Sequence, residues 1–263
     1  MILYFSATGN SEHVARRIAA ATDDKVVSIE RFDVEALRLV ATEGPRQLGF
    51  VAPVYAWGLP TPMIEFLKTA DLSIAAGANG GKQPHTFYVS TYGSTTGQSA
   101  KFARDLLRER GLELHAAMSV KMPDTWTPLF DLSDYQKVEG INRAAEAQID
   151  AVIEAVRERR TGNMMRHRVP LFASCAYHAF GLPRMQQTSK FVVDADRCIG
   201  CSLCAKRCPM AAIEMRDGLP VWAKSECAAC LRCLHCCPKF AISRGKRTAA
   251  HGQYRHPKPG VRM

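Results

Sequence analysis

The sequence predicts an α/β protein: a doubly wound, five-stranded parallel sheet over residues 1–160, followed by a small α+β domain over residues 191–245. Three observations carry the prediction. Strand-like and helix-like segments alternate from the first residue to about residue 160, the order that builds parallel sheets. A hydroxyl-rich turn, Ser6-Ala7-Thr8-Gly9-Asn10-Ser11, separates the first strand from the first helix. Near the end, two cysteine runs of one form, Cys198-x2-Cys201-x2-Cys204-x3-Cys208-Pro209 and Cys227-x2-Cys230-x2-Cys233-x3-Cys237-Pro238, repeat in a short stretch.

In chain order, Ile2–Phe5 reads as a buried strand and Asn10–Ala21 as a helix with Val14, Ile18 and Ala19 on its apolar face. Lys25–Ile29 is a second strand and Gln47–Tyr55 a third. Thr61–Lys68 is a helix with Pro62 in its first turn, where a missing N–H costs nothing. His85–Thr91 is a fourth strand, Gly97–Arg110 a helix, Leu112–Met122 a fifth strand and Glu139–Arg160 a long amphipathic helix. Residues 161–190 form a linker. Within it, Val169–Gly181 predicts a short apolar helix begun by Pro170, ended by Gly181 and flanked by Arg166, Arg168 and Arg184. The cysteine domain repeats internally. Phe191–Val193 and Leu219–Trp222 each open a unit. A cysteine loop follows, then a short helix near the proline and a return strand at Ala211–Ile213 or Ala241–Ile242. Residues 246–263 form a basic tail.

The spacing of each cysteine run is the bacterial pattern for cubane iron–sulfur clusters, in which the fourth cysteine of a run serves the other cluster. Two 4Fe–4S clusters are expected, one on Cys198, Cys201, Cys204 and Cys237, the other on Cys227, Cys230, Cys233 and Cys208. Zinc usually takes two C-x2-C pairs set apart around one ion, and a disulfide framework fits poorly where no secretory signal precedes the first strand. Cys236, beside Cys237, lacks the spacing and the following proline; it reads as a buried packing residue. Cys175 reads as a buried, inert thiol, and Ile199 and Leu231 as apolar covers over the cluster sulfurs.

Hydrophobic residues make up 47% of the 263 residues, enough for a full core and a small second domain. No apolar run approaches the roughly 20 residues of a membrane span, so a cytoplasmic setting is expected, and the clusters suggest an anaerobic or low-oxygen one. The net charge of +10 is uneven: residues 1–160 hold 18 Lys and Arg against 20 Asp and Glu, and residues 161–263 hold 17 against 5. Anionic clusters offset part of the second excess. The remainder suits an acidic redox partner better than nucleic acid, for which no aromatic-interleaved basic groove is evident. The apolar linker helix has two readings, packing against a domain or resting on a membrane surface.

Parallel α/β sheets bind ligands where the strands end and their order reverses. The turn at Ser6, Thr8, Gly9, Asn10 and Ser11 lies there, before a helix amino terminus whose N–H groups favour a phosphate. It holds no lysine or arginine, so neutral donors would carry the contact. Two further loops reach the same edge: Pro53-Val54-Tyr55-Ala56-Trp57-Gly58-Leu59-Pro60 and Ser90-Thr91-Tyr92-Gly93-Ser94-Thr95-Thr96-Gly97. Both loops resemble those that grip the ring in flavodoxins, and that resemblance makes Pro53, Tyr55, Trp57, Gly58, Thr91, Tyr92 and Gly93 candidates to hold a flavin ring, with Trp57 and Tyr92 as its aromatic faces. A third loop, Met122-Pro123-Asp124-Thr125-Trp126, either covers that site or caps the sheet.

These loops resemble those of flavodoxins. With Tyr4–Ser11, Pro53–Pro60, both cysteine runs, Ala241-Ile242-Ser243 and the tail through Tyr254 and Pro257, nearly the whole chain resembles the bacterial fusion family called EFR-type ferrodoxins. That resemblance implies a flavodoxin-like domain joined to a two-cluster ferredoxin, with FMN and two 4Fe–4S clusters as cofactors. The implied role is electron transfer within one chain, between the flavin and the clusters and on to an external redox partner, with no catalytic acid or base. A flavin-dependent reductase of a small organic substrate and a redox-sensing or docking module with an empty flavin site are the alternatives.

Overall fold

The computed structural model describes residues 1–34, 47–72 and 84–258. Residues 259–263 of the expected tail lie outside them. The first domain is a parallel sheet of strands β1 (Ile2–Tyr4), β2 (Val26–Ser28), β3 (Gln47–Pro53), β4 (His85–Tyr92), β5 (Ala116–Lys121) and β6 (Gly162–Asn163). Their order is β2-β1-β3-β4-β5-β6, which reverses between β1 and β3. Among the described residues the sheet therefore has six strands, not five. The sixth comes from the expected linker: the Gly162 and Met164 amides donate to the His115 and Ala117 carbonyls, and Met165 joins the core.

The two faces follow the period-two alternation of strand side chains. Leu3, Phe5, Leu48 and Phe50 face helices α2 (Thr61–Thr69) and α3 (Ser99–Glu109) through Met63, Phe66, Ala103 and Leu107. Ile2, Tyr4, Val51, Phe87 and Val89 face α1 (Asn10–Thr22) and α4 (Tyr135–Arg157) through Val14, Ile18, Ile149 and Val152.

Several bounds differ from those read in the sequence, each for a local reason. The fifth strand starts at Ala116 because Gly111, at φ 74°, closes α3 with the Gly111 and Leu112 amides donating to the Arg108 and Leu107 carbonyls. Leu112 and Leu114 are buried as loop residues. Helix α4 starts at Tyr135 because the Asp134 carboxylate accepts from the Lys137 amide. The linker helix, α5 (Leu171–Gln186), continues past Gly181 and through Pro183. Gly181 does not adopt the left-handed conformation of a helix-ending glycine; a Cβ there would come within 2.6 Å of the Tyr177 ring.

The cysteine domain comprises β7 (Phe191–Val193), α6 (Leu203–Lys206), β8 (Ile213–Arg216), β9 (Leu219–Trp222), α7 (Arg232–Cys236) and β10 (Ile242–Arg244), followed by α8 (Thr248–His251). Its short helices lie at the third cysteine of each run, before the prolines rather than after them. β7 pairs with β10 and β8 with β9, both antiparallel, so the first strand of one unit meets the last strand of the other. Gly200, Ser202 and Ala211 in the first unit match Ala229, Leu231 and Phe240 in the second, and all six have positive φ. The two runs thus make the same loop twice.

Helix α5 packs on both domains. Its Ser174 hydroxyl donates to the Trp57 carbonyl at 2.8 Å, its Gln186 amide to the Thr61 hydroxyl at 2.8 Å, and its Gln186 carbonyl accepts from the Cys227 amide. The tail returns to the first domain: Tyr254 is buried and its hydroxyl donates to Asn10, and the His256 amide donates to the Thr8 carbonyl at 2.9 Å.

Candidate functional site

The sheet edge at the strand reversal opens into a cavity of about 380 Å³, lined among others by Ser6, Thr8, Asn10, Ser11, Pro53, Tyr55, Trp57, Thr91, Tyr92 and Gly93. Ten of the twelve residues proposed from sequence for a flavin therefore share one cavity. The other two, Gly9 and Gly58, shape its rim. Gly9, at φ 96°, turns the chain into α1, and its amide donates to the Ser6 hydroxyl at 3.1 Å. No side chain caps α1, which leaves its first amides facing the loop. Ser11 and Thr91 share a hydrogen bond between their hydroxyls at 2.7 Å, tying the phosphate-type loop to the β4 edge.

The Trp57 loop is a tight turn: the Tyr55 and Gly58 amides and carbonyls pair with each other at 3.0 and 2.9 Å. Ala56 and Trp57 both have positive φ, at 45° and 63°. Two non-glycine residues held this way mark a backbone overdetermined by its surroundings. The Trp57 carbonyl supplies that restraint, accepting from the Gln98 amide at 2.9 Å and from Ser174. Gly97 makes the approach possible, since a Cβ there would sit 2.0 Å from the Trp57 oxygen.

Met122, Pro123, Asp124, Thr125 and Trp126 also line the cavity, so the third loop is part of the wall. The Asp124 carboxyl is pushed above its ordinary range by burial, with the Trp126 amide opposing that shift. Tyr92 is likewise raised by burial.

Further wall residues were not legible in the sequence. Tyr177 and Met185 come from α5, with Tyr177 packed 4.6 Å from Trp57, and Ala229 and Cys230 come from the second cysteine run. Arg232 is the other omission. It is 6% exposed, reaches the Ser6 carbonyl at 2.7 Å and holds both Glu30 carboxylate oxygens at 2.6 and 2.7 Å. A loop without a basic residue of its own thus has a guanidinium behind it.

The cysteines fall into two groups. Cys198, Cys201, Cys204 and Cys237 line one small cavity. Cys208 lies within electrostatic reach of Cys227, Cys230 and Cys233. The sulfurs of Cys208, Cys237 and Cys227 accept from the Ala212, Ala241 and Ala229 amides at 3.3, 3.3 and 3.4 Å, bonds that stabilise thiolates. Burial pushes the Cys204 thiol up to about 11 and the Cys230 thiol up to about 12. Such thiols ionise readily only against a cationic core, so the donor sets fit iron–sulfur clusters. Among the described residues, no three His, Cys, Asp or Glu side chains close on a single ion.

Cys236 is buried, as expected, and its thiol donates to the Cys233 carbonyl. Cys175 is exposed, not buried, because α5 turns its Ser174 side toward Trp57 and the adjacent position outward. Ile199 lines the small cavity of Cys198, Cys201, Cys204 and Cys237 and is 59% exposed, whereas Leu231 is buried.

A family model described as a flavodoxin domain matches residues 1–150. The chain belongs to the flavodoxin domain family. A 4Fe–4S binding domain model matches residues 191–214, so the chain joins a flavodoxin domain to a ferredoxin segment. Flavodoxin domains imply FMN, the ferredoxin segment implies 4Fe–4S chemistry, and together they give the chain an electron-transfer role. No curated protein matches the chain. Among solved structures, it is 18% identical to the Flv1 flavodiiron core from Synechocystis sp. PCC6803, over 59% of this chain and 36% of that one, with a TM-score of 0.34. It is 20% identical to Megasphaera elsdenii flavodoxin, over 46% of this chain and 83% of that one, with a TM-score of 0.34. It is 15% identical to a flavodoxin from the domain Archaea, over 59% and 96%, with a TM-score of 0.36. These likenesses are slight; the fold rests on the strand order and the family match. Among the described residues, no helix is long and apolar enough to cross a membrane.

Proposed function

We propose that this protein relays electrons within one chain, between FMN in the sheet-edge cavity, two 4Fe–4S clusters and an external redox protein. The observation that carries this reading is the position of Cys230. It lines the flavin-type cavity together with Trp57 and Tyr92, and it belongs to the thiol group of Cys208, Cys227 and Cys233. One residue is thus a wall of the first site and a ligand candidate of the second. FMN supplies one- and two-electron chemistry and each cluster one-electron chemistry.

The remaining parts are positional. Ser6, Thr8, Gly9, Asn10 and Ser11 bind the phosphate with the α1 amides. Pro53, Tyr55, Trp57, Gly58, Thr91, Tyr92 and Gly93 orient the ring and exclude water. Cys208, Cys227, Cys230 and Cys233 hold an inner cluster, and Cys198, Cys201, Cys204 and Cys237 an outer one. The repeat supports this order, because Cys201 and Cys230 occupy equivalent positions yet Cys201 is exposed while Cys230 faces the cavity. An electron partner would meet the outer group, and the basic excess of this half favours an acidic one.

Protein purified without oxygen should hold about one FMN and about eight irons per chain. After flash reduction of the flavin, cluster bleaching should proceed at a rate independent of protein concentration. A rate proportional to concentration would place the transfer between chains and overturn the relay.

A further inference from the structure

The two cysteine loops share a backbone but not a charge environment. In the second unit Arg232 and Arg244 stand where the first unit has Leu203 and Met215. Leu203 and Met215 line the cavity of the outer thiols. Arg244 is 5% exposed, and its charge acts on Cys227 and Cys233. Arg232 acts on Cys230.

Neither arginine is explained by structural pairing alone. Each has a buried Nε–H without a hydrogen-bond partner. Arg232 is matched by Glu30, but Arg244 has no carboxylate partner among the described residues. It lies between the Trp126 and Phe191 rings, 4.8 and 5.4 Å from their centroids, and donates to the Met185 carbonyl at 2.6 Å. An unpaired buried cation is expensive unless a negative group sits nearby. The inner thiols Cys227 and Cys233, which become negative as cluster ligands, lie within its reach.

We propose that Arg244 is a potential-setting residue for the inner cluster, the buried counter-charge that offsets the negative charge added when that cluster accepts an electron. One-electron reduction adds one negative charge to the cluster and its four thiolates. At the outer site, exposed Cys201 opens that charge to water, and Lys239, the charged residue lining that cavity, is exposed and screened. At the inner site every thiol is half-buried and none is exposed, so less water offsets the added charge, which would lower the potential. Arg244 opposes that penalty from inside. Arg232, already neutralised by Glu30, contributes less. The inference rests on the relay reading only in requiring two bound clusters.

The test is an EPR-monitored redox titration of the full chain with its cofactors. In Arg244→Met, which copies the outer site, one cluster signal should move to lower potential. Its reduced-to-oxidised ratio at fixed ambient potential should fall about tenfold, about 59 mV for a one-electron couple, with the other signal unmoved. Arg244→Lys should keep most of the potential, because it keeps the charge. Two unmoved signals, or a shift as large in Arg244→Lys as in Arg244→Met, would overturn the proposal. If Arg244→Met loses iron, Met215→Arg carries the test: the outer signal should rise by a similar factor, and no rise counts against the idea. Fewer than about eight irons in the unmodified protein would instead defeat the relay reading.

Discussion

Cys236 and Cys237 are adjacent cysteines in different surroundings. The Cys237 sulfur accepts from the Ala241 amide, as the Cys208 sulfur does from Ala212 in the first unit. The Cys236 thiol is buried and donates to a backbone carbonyl, the behaviour of a small packing residue. Cys237→Ala should therefore lower the iron content from about eight to about four per chain, while Cys236→Ala leaves it in place. Iron analysis with the visible spectrum reads both, and equal losses would reverse the assignment. The burial of Cys236 was legible in the sequence because that reading rests on local spacing. The roles of Arg232 and Arg244 were not, since their environments are assembled from Glu30, Ser6, Trp126 and Met185, residues far away in the chain.

At the scale of elements, the sheet and its three loops could be read ahead of the structure because strand alternation and contiguous turn residues are local patterns. What the loops lacked was their outer wall. Helix α5 carries few charges, and its sequence said only that it would pack or lie on a surface. In the fold it braces the Trp57 turn through Ser174 and places Tyr177 4.6 Å from the indole. Phe172 and Phe180 remain exposed on its other side. Tyr177→Ala should then weaken flavin binding with little effect on iron content. Loss of one aromatic contact is worth about 0.5–1.5 kcal/mol, a few-fold to about tenfold in dissociation constant. Fluorescence titration of flavin-stripped protein measures this. An unchanged affinity would mean that α5 braces the turn without closing the site.

For the molecule as a whole, the decisive feature is that the second domain and its tail are built into the first rather than tethered to it. His235 is buried at the junction. Its Nδ1 accepts from the Tyr254 amide at 3.2 Å, so its Nε2 carries the proton donated to the Thr125 carbonyl at 2.9 Å. Burial, with nearby Arg255, pulls its pKa down to about 4, against the opposing Thr125 contact. His256, stacked 4.2 Å from His13, is also pulled to about 4, first by burial and then by that neighbour. Both rings are neutral when docked, and an unfolded or undocked histidine titrates near 6.5. Their contribution is therefore complete above about pH 6.5 and is lost as the pH falls toward about 4. For His235 the lost contribution is about 3 kcal/mol. Thermal midpoints of the loaded protein should drop between pH 7.5 and 5.5. His235→Gln should start lower at pH 7.5 but fall less steeply. Acid damage to the clusters is common to both proteins, so the difference between the two profiles isolates the histidine. Parallel profiles would show that the junction does not sense protonation at His235. A steeper fall in the unmodified protein, accompanied by slower flavin-to-cluster transfer, would show that the packing which seats Cys230 against the flavin cavity is the same packing that acid releases.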